Sequence, residues 1–107
     1  VTPTQELAQA AGVDYETLWR AVLFAGRFVA PDAAKISRSI DDDPDGWWVP
    51  YHFYWGMTVR NALRSAGCGE KELGCANLDD IYVPIVEIAV TGRWNKAAWD
   101  ELKEKYG

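Results

Sequence analysis

Apolar residues return every three or four positions along almost the whole chain, as in Trp19, Val22 and Leu23 or in Trp99, Leu102 and Tyr106. No stretch alternates apolar and polar residues for long enough to make a half-buried strand. A chain patterned in this way buries its apolar surface by packing helix on helix, so the sequence predicts an all-α fold. At 107 residues, 49% of them hydrophobic, it closes one core rather than two. The expectation is a compact single domain over residues 1–107, of five or six helices. It has a helix-turn-helix-like hairpin within residues 1–40, an acidic connector over 41–49 and a C-terminal helical part over 50–107.

The helix ends are written in local chemistry. Thr2 is placed to cap a helix from Pro3 to Ala11, with Pro at the first helical position, Gln5 completing a capping box and Gly12 as the stop. Asp14 caps a second helix through Leu18, with Val13 and Leu18 spaced as a hydrophobic staple, and the pattern fades between Gly26 and Val29. Pro31 restarts the chain into "PDAAKISRSI", and "DDDPDG" reads as a turn-rich connector that holds no helix. A fourth helix is expected from Pro50 to Ala66, then a Gly-rich loop, "GCGEKELGCANL". Asp79 or Asp80 is expected to cap the next helix, which tolerates Pro84 if it falls near the first turn. Asn95 caps the last one, with Trp94 and Trp99 spaced for a staple and Trp99, Leu102 and Tyr106 along one stripe.

Composition narrows the function classes. Sixteen acids against eleven Lys and Arg leave a net charge of −5, which disfavours nonspecific attraction to DNA or an anionic membrane. No apolar run approaches the roughly 20 residues of a membrane span. "VTPTQELAQA" lacks the basic start and apolar stretch of a signal peptide, so the expected compartment is the cytoplasm. There Cys68 and Cys75 stay as thiols. One His and two Cys in no zinc spacing predict no metal, and no motif calls for a cofactor.

Residues 4–22, "TQELAQAAGVDYETLWRAV", resemble the bihelical unit of lactose-repressor-type and phage-repressor-type DNA-binding headpieces. Ala8 stands where the two helices need a small residue, Gly12 where the turn needs a positive φ, and Val13, Leu18 and Val22 where they close on a core. "VAPDAAKISRSI" is similar to the third helix of such headpieces. The resemblance implies a transcriptional regulator whose second helix enters the major groove, with Tyr15, Trp19, Arg20 and Arg27 as contact residues. The reading positions depart from the family, because Asp14 and Glu16 would face phosphates. Arg20, Arg27, Lys35 and Arg38 only balance the four acids of the first 40 residues. DNA binding is therefore the alternative reading.

Residues 51–106 resemble a family of small, uncharacterised bacterial proteins marked by a His, a Gly four residues on and then an Arg-Asn pair, here His52, Gly56, Arg60 and Asn61. The same family opens its next helix with paired Asp, matching Asp79 and Asp80, and places a Gly before a polar last helix, matching Gly92. In a helix from Pro50, His52, Gly56 and Val59 would share one face and Phe53, Met57 and Arg60 the neighbouring one. Gly56 then admits another helix closely, and Arg60 pairs with an Asp to tie two helices into a structural network with His52 and Asn61. An enzyme would instead use His52 as general base, Arg60 as an anion clamp and an Asp to orient the imidazole. No nucleophile, phosphate loop or second His accompanies them, so no catalytic residue is assigned.

The aromatic run from Trp47 to Trp55 suggests another use. Trp47, Trp48, Tyr51, Tyr54 and Trp55 are too many for one helix to bury, and Trp and Tyr dominate binding hot spots. With Asp42 and Asp43 beside them they form an apolar centre with an acidic rim. The bland counterpart is that Trp47 and Trp48 fold back as a lid on the core. The expectation is a non-catalytic bacterial or phage protein that binds a protein partner, an inhibitor or regulator of a basic one, with the oligomeric state left open.

Overall fold

A computed structural model describes residues 1–106; the side chain of Tyr106 lies outside the described part, so the stripe expected through it is described as far as Leu102. The architecture is all-helical. Seven α-helices are found among the described residues: α1 (Pro3–Ala11), α2 (Tyr15–Phe28), α3 (Ala33–Asp42), α4 (Trp55–Ser65), α5 (Glu70–Leu73), α6 (Leu78–Thr91) and α7 (Lys96–Tyr106). Single 3₁₀ turns, Ala30–Asp32 and Val49–Tyr51, precede α3 and α4.

α6 is the central post. It touches α1, α2, α3 and α4, and its residues Leu78, Ile81, Tyr82, Ile85 and Val86 are buried. Around them close Leu7 of α1, Leu18, Ala21 and Ala25 of α2, Ile36 of α3, and Val59 and Leu63 of α4. α6 and α2 meet near Gly26, where an added Cβ would stand 3.9 Å from that of Ala89.

The N-terminal caps form as expected. The Thr2 hydroxyl accepts from Gln5 N at 3.1 Å, the Gln5 side chain accepts from Thr2 N at 2.8 Å, and Gly12 takes the left-handed conformation with φ 67°. The Asp14 carboxylate accepts from the Thr17 amide at 2.9 Å and its hydroxyl at 2.8 Å, which holds that carboxyl below its ordinary range. At the far end Asn95 accepts from Ala98 N at 3.0 Å, and the rings of Trp94 and Trp99 meet edge to face.

Four boundaries differ from expectation. α3 runs through Asp41 and Asp42 and stops only at Asp43, because the residue before a proline is pushed out of the helical region. The helix expected from Pro50 begins at Trp55; residues 47–54 form consecutive turns, so the face shared by His52 and Gly56 does not exist as drawn. The Gly-rich loop contains α5, whose Leu73 is buried and whose carbonyl accepts from Asp14 N at 2.9 Å. Finally, Asn77 caps α6 in place of either Asp, and Pro84 sits in the second turn, where it brings no N–H to the Asp80 carbonyl.

Candidate functional site

The turns from Trp47 to Tyr54 send side chains inward and outward in pairs: residues 47–48 and 51–52 are buried or half-buried, and residues 49–50 and 53–54 are exposed. Trp47 is 2% exposed, and its indole N–H donates to the Glu87 carboxylate of α6 at 2.9 Å. Trp48, Tyr51 and Trp55 are half-buried, and the rings of Tyr51 and Trp55 meet that of Trp47 at 6.4 and 6.5 Å. Tyr51 also bonds through its hydroxyl to Ser39 of α3 at 3.0 Å. Trp47 therefore serves the core and is withdrawn from any partner. The exposed members are Phe53 and Tyr54, 73% and 84% exposed, joined by Val49 and Met57.

Glu87 was not foreseen. It is 4% exposed and takes a second bond from the Asn95 backbone N–H at 3.2 Å. Burial pushes its carboxyl above the ordinary range, and the Trp47 and Asn95 donors offset part of that shift. The signal was available, since Glu87 is a lone charge in the apolar run "PIVEIAV". Asn95 extends the link: its side-chain amide donates to the Pro44 carbonyl at 3.1 Å and to Asp45 at 2.8 Å, pinning the acidic connector to the start of α7.

A second polar group gathers beneath α4. Arg60 is 5% exposed; it donates to the His52 carbonyl and to His52 Nδ1, both at 3.2 Å, stands 3.4 Å from Asp79, and stacks 4.8 Å from the centre of the Tyr82 ring. An arginine only donates, so Nδ1 accepts and the imidazole proton belongs on Nε2. The Tyr82 hydroxyl lies 3.0 Å from the same Nδ1, and burial pushes that phenol up to about 12. Gly56 leaves room for it, because a Cβ there would stand 2.6 Å from the Tyr82 hydroxyl and 3.2 Å from the Tyr51 carbonyl. His52, Gly56, Arg60 and Asp79 thus come together, with Tyr82 as the member that sequence reading missed. Asn61 instead accepts from Arg64 at 2.8 Å, and Asp80 faces Lys103 at 3.5 Å.

Next to this group a groove of about 320 Å³ opens between α6, α7 and the connector. Trp48, Val83, Pro84, Trp99 and Leu102 supply apolar walls, and Asp45, Asp79, Asp80, Glu87 and Glu101 line it with carboxylates, together with Lys105. Asp42 and Asp43 lie exposed at the end of α3, just ahead of the connector.

On the opposite segment, Tyr15, Trp19, Arg20 and Arg27 are all exposed on α2, with Leu23 continuing the Tyr15–Trp19 strip. Arg20 reaches Thr17 at 3.4 Å, and Glu16 is exposed between the two aromatics. Cys68 is buried and Cys75 half-buried, both as free thiols whose pKa burial raises. Among the described residues no group of three or more His, Cys, Asp or Glu is arranged to hold a metal, and no helix is long and apolar enough to cross a membrane.

Comparison with family models, curated proteins and solved structures finds no match to the chain.

Proposed function

We propose that this chain is a non-catalytic protein that works by binding another protein, as an inhibitor or regulator of a basic partner in a bacterial or phage setting. The observation that carries this reading is the exposed edge formed by Val49, Phe53, Tyr54 and Met57 at the entry to α4. Large apolar side chains held in water by a well-packed neighbourhood cost solubility unless something covers them. Tyr and Phe are also the side chains that bring most contact area at little conformational cost. The acidic connector and the net charge of −5 favour approach to a basic surface.

The state of Arg60 supports a structural role for the His52 group. A buried guanidinium whose donors are taken by His52 and Asp79 has little left to offer a substrate anion. The helix-turn-helix alternative places Tyr15, Trp19, Arg20 and Arg27 against DNA, with Glu16 among them as a repulsive element.

The test is affinity capture of the tagged chain from a lysate of its source cell, with and without nuclease, run beside the double variant Phe53→Ser/Tyr54→Ser. A protein retained by the wild type after nuclease and lost from the variant supports the reading. Recovery of DNA, or of proteins only through DNA, overturns it and makes α2 the working surface.

A further inference from the structure

We infer that the groove between α6 and α7 receives a basic amphipathic segment of the partner protein, seating an Arg or Lys among its carboxylates and an apolar side chain on its floor. The inference rests on the protein-binding reading but uses different residues from the Phe53–Tyr54 edge.

Three observations converge on it. The first is shape and chemistry: at about 320 Å³ the groove is at the small end of ligand pockets, which run from about 300 to 1,000 Å³, enough for one or two side chains rather than a large cofactor. Its apolar walls, Trp48, Val83, Pro84 and Leu102, stand with carboxylates from three separate segments, Asp45 on the connector, Asp79 and Asp80 on α6, and Glu101 on α7, which outnumber the Lys105 ammonium that also lines it.

The second is that the chain already satisfies the same chemistry at the groove's edge. Lys103 sits 4.7 Å over the Trp99 ring and 3.5 Å from Asp80, an ammonium held between an aromatic face and a carboxylate. Trp48 and Glu101 bring a further aromatic ring and a further carboxylate to the groove's lining.

The third is support. Asn95 ties the connector wall to α7, and Glu87 ties Asn95 to α6 and to buried Trp47, so the walls are fixed relative to one another before any partner arrives. A groove already formed spares the partner the ordering cost of assembling it.

The test is a titration of the isotope-labelled full chain with a capped peptide of alternating Leu and Arg, read by NMR at the backbone amides and at the indole N–H signals of Trp48 and Trp99. A peptide with Gln for Arg and free arginine amide serve as controls. Saturable shifts at those two indoles are expected, with affinity falling about twofold in Glu101→Gln and about fivefold in Glu101→Lys, and weakening with added salt. Glu101 is exposed, so neither change threatens the fold. Equal affinity across the three proteins, no shift at any indole, or equal binding of the Gln peptide overturns the inference. So does free arginine amide matching the peptide, since that would make the groove a small-cation site. Shifts confined to Phe53 and Tyr54 sink the groove and leave the protein-binding reading standing; loss of the partner only in the Phe53→Ser/Tyr54→Ser capture separates the two from the other side.

Discussion

The inner and outer halves of the aromatic segment use similar side chains to opposite ends. Trp47 goes down, meets Tyr51 and Trp55 edge to face, and gives its N–H to a buried carboxylate. Phe53 and Tyr54, six and seven residues on, stand mostly in water. The difference is anchorage. Trp47 has a polar partner in the core, and that bond ties the start of the turns to α6. The outer residues are left over once the inner ones are satisfied, and what they offer is surface.

If that is right, removing the anchor should do the most damage. Trp47→Ala empties a large core volume and strands the Glu87 carboxylate without its indole donor, so a loss of about 4 kcal/mol in unfolding free energy is expected by chemical denaturation. A loss near that of a surface change would mean the segment is held by something other than Trp47.

Arg60→Ala comes next. It removes a buried guanidinium that bridges the His52 carbonyl, Asp79 and the Tyr82 ring, and about 3 kcal/mol is expected. Asp79→Asn should cost under about 1 kcal/mol, because that carboxylate is more than half exposed and water replaces the arginine. Equal costs for the two would show that the ion pair, rather than Arg60's packing and bond to His52, carries the stability.

Gly56→Ala places a methyl group against the buried Tyr82 hydroxyl and should cost about 2 kcal/mol. Tyr82→Phe in the same chain removes the nearest obstructing atom, so the double variant is expected to recover part of that loss, a coupling that denaturation of all four proteins measures. Additive losses would mean that the clash is with the Tyr51 carbonyl.

These contacts also explain which parts of the fold the sequence made legible. The ends of α1, α2 and α7 are set by Thr2, Asp14 and Asn95 bonding three residues away, and such bonds follow from spacing alone. The entry to α4 is set by Trp47 reaching Glu87 forty positions on, which no local period encodes. Helical spacing of aromatics over residues 47–55 suited a helix as well as it suits turns packed on α6. α5 was hidden between glycines, and what makes it a structured turn is Leu73 seated against α2, together with Glu70 bonding Arg64 and the Leu78 amide. Of the candidate site, His52, Gly56, Arg60 and Asp79 were visible as a pattern. Tyr82 and Glu87 looked like ordinary members of α6, although a single acid in an apolar helix marks a buried partner worth seeking.

The carboxylates give the anchor a pH signature. Burial raises the Glu87 pKa in the folded chain above its unfolded value of about 4.5, so its contribution to stability is full below that value and is lost as pH rises through the folded pKa. Glu87→Gln removes the slope, and the melting-temperature difference between variant and wild type should move in the variant's favour between about pH 4 and about pH 8. Glu70 behaves in the opposite sense. Arg64 holds it at about 2, so its stabilisation is present above its ordinary 4.5 and lost as pH falls toward 2; Glu70→Gln should destabilise at neutral pH and converge with the wild type in acid.

The outer half should be the least sensitive of all. Phe53→Ser and Tyr54→Ser together remove two large rings that are mostly in water already, so thermal unfolding should shift by no more than the equivalent of about 0.5 kcal/mol. The gain, if any, should appear as lower self-association in concentrated solution, since an uncovered apolar edge is what makes copies stick. A large loss of stability would show that these rings pack against the chain after all and would join the outer half to the inner one. An unchanged melt, with the partner lost in capture, would set the two halves apart as foundation and contact surface.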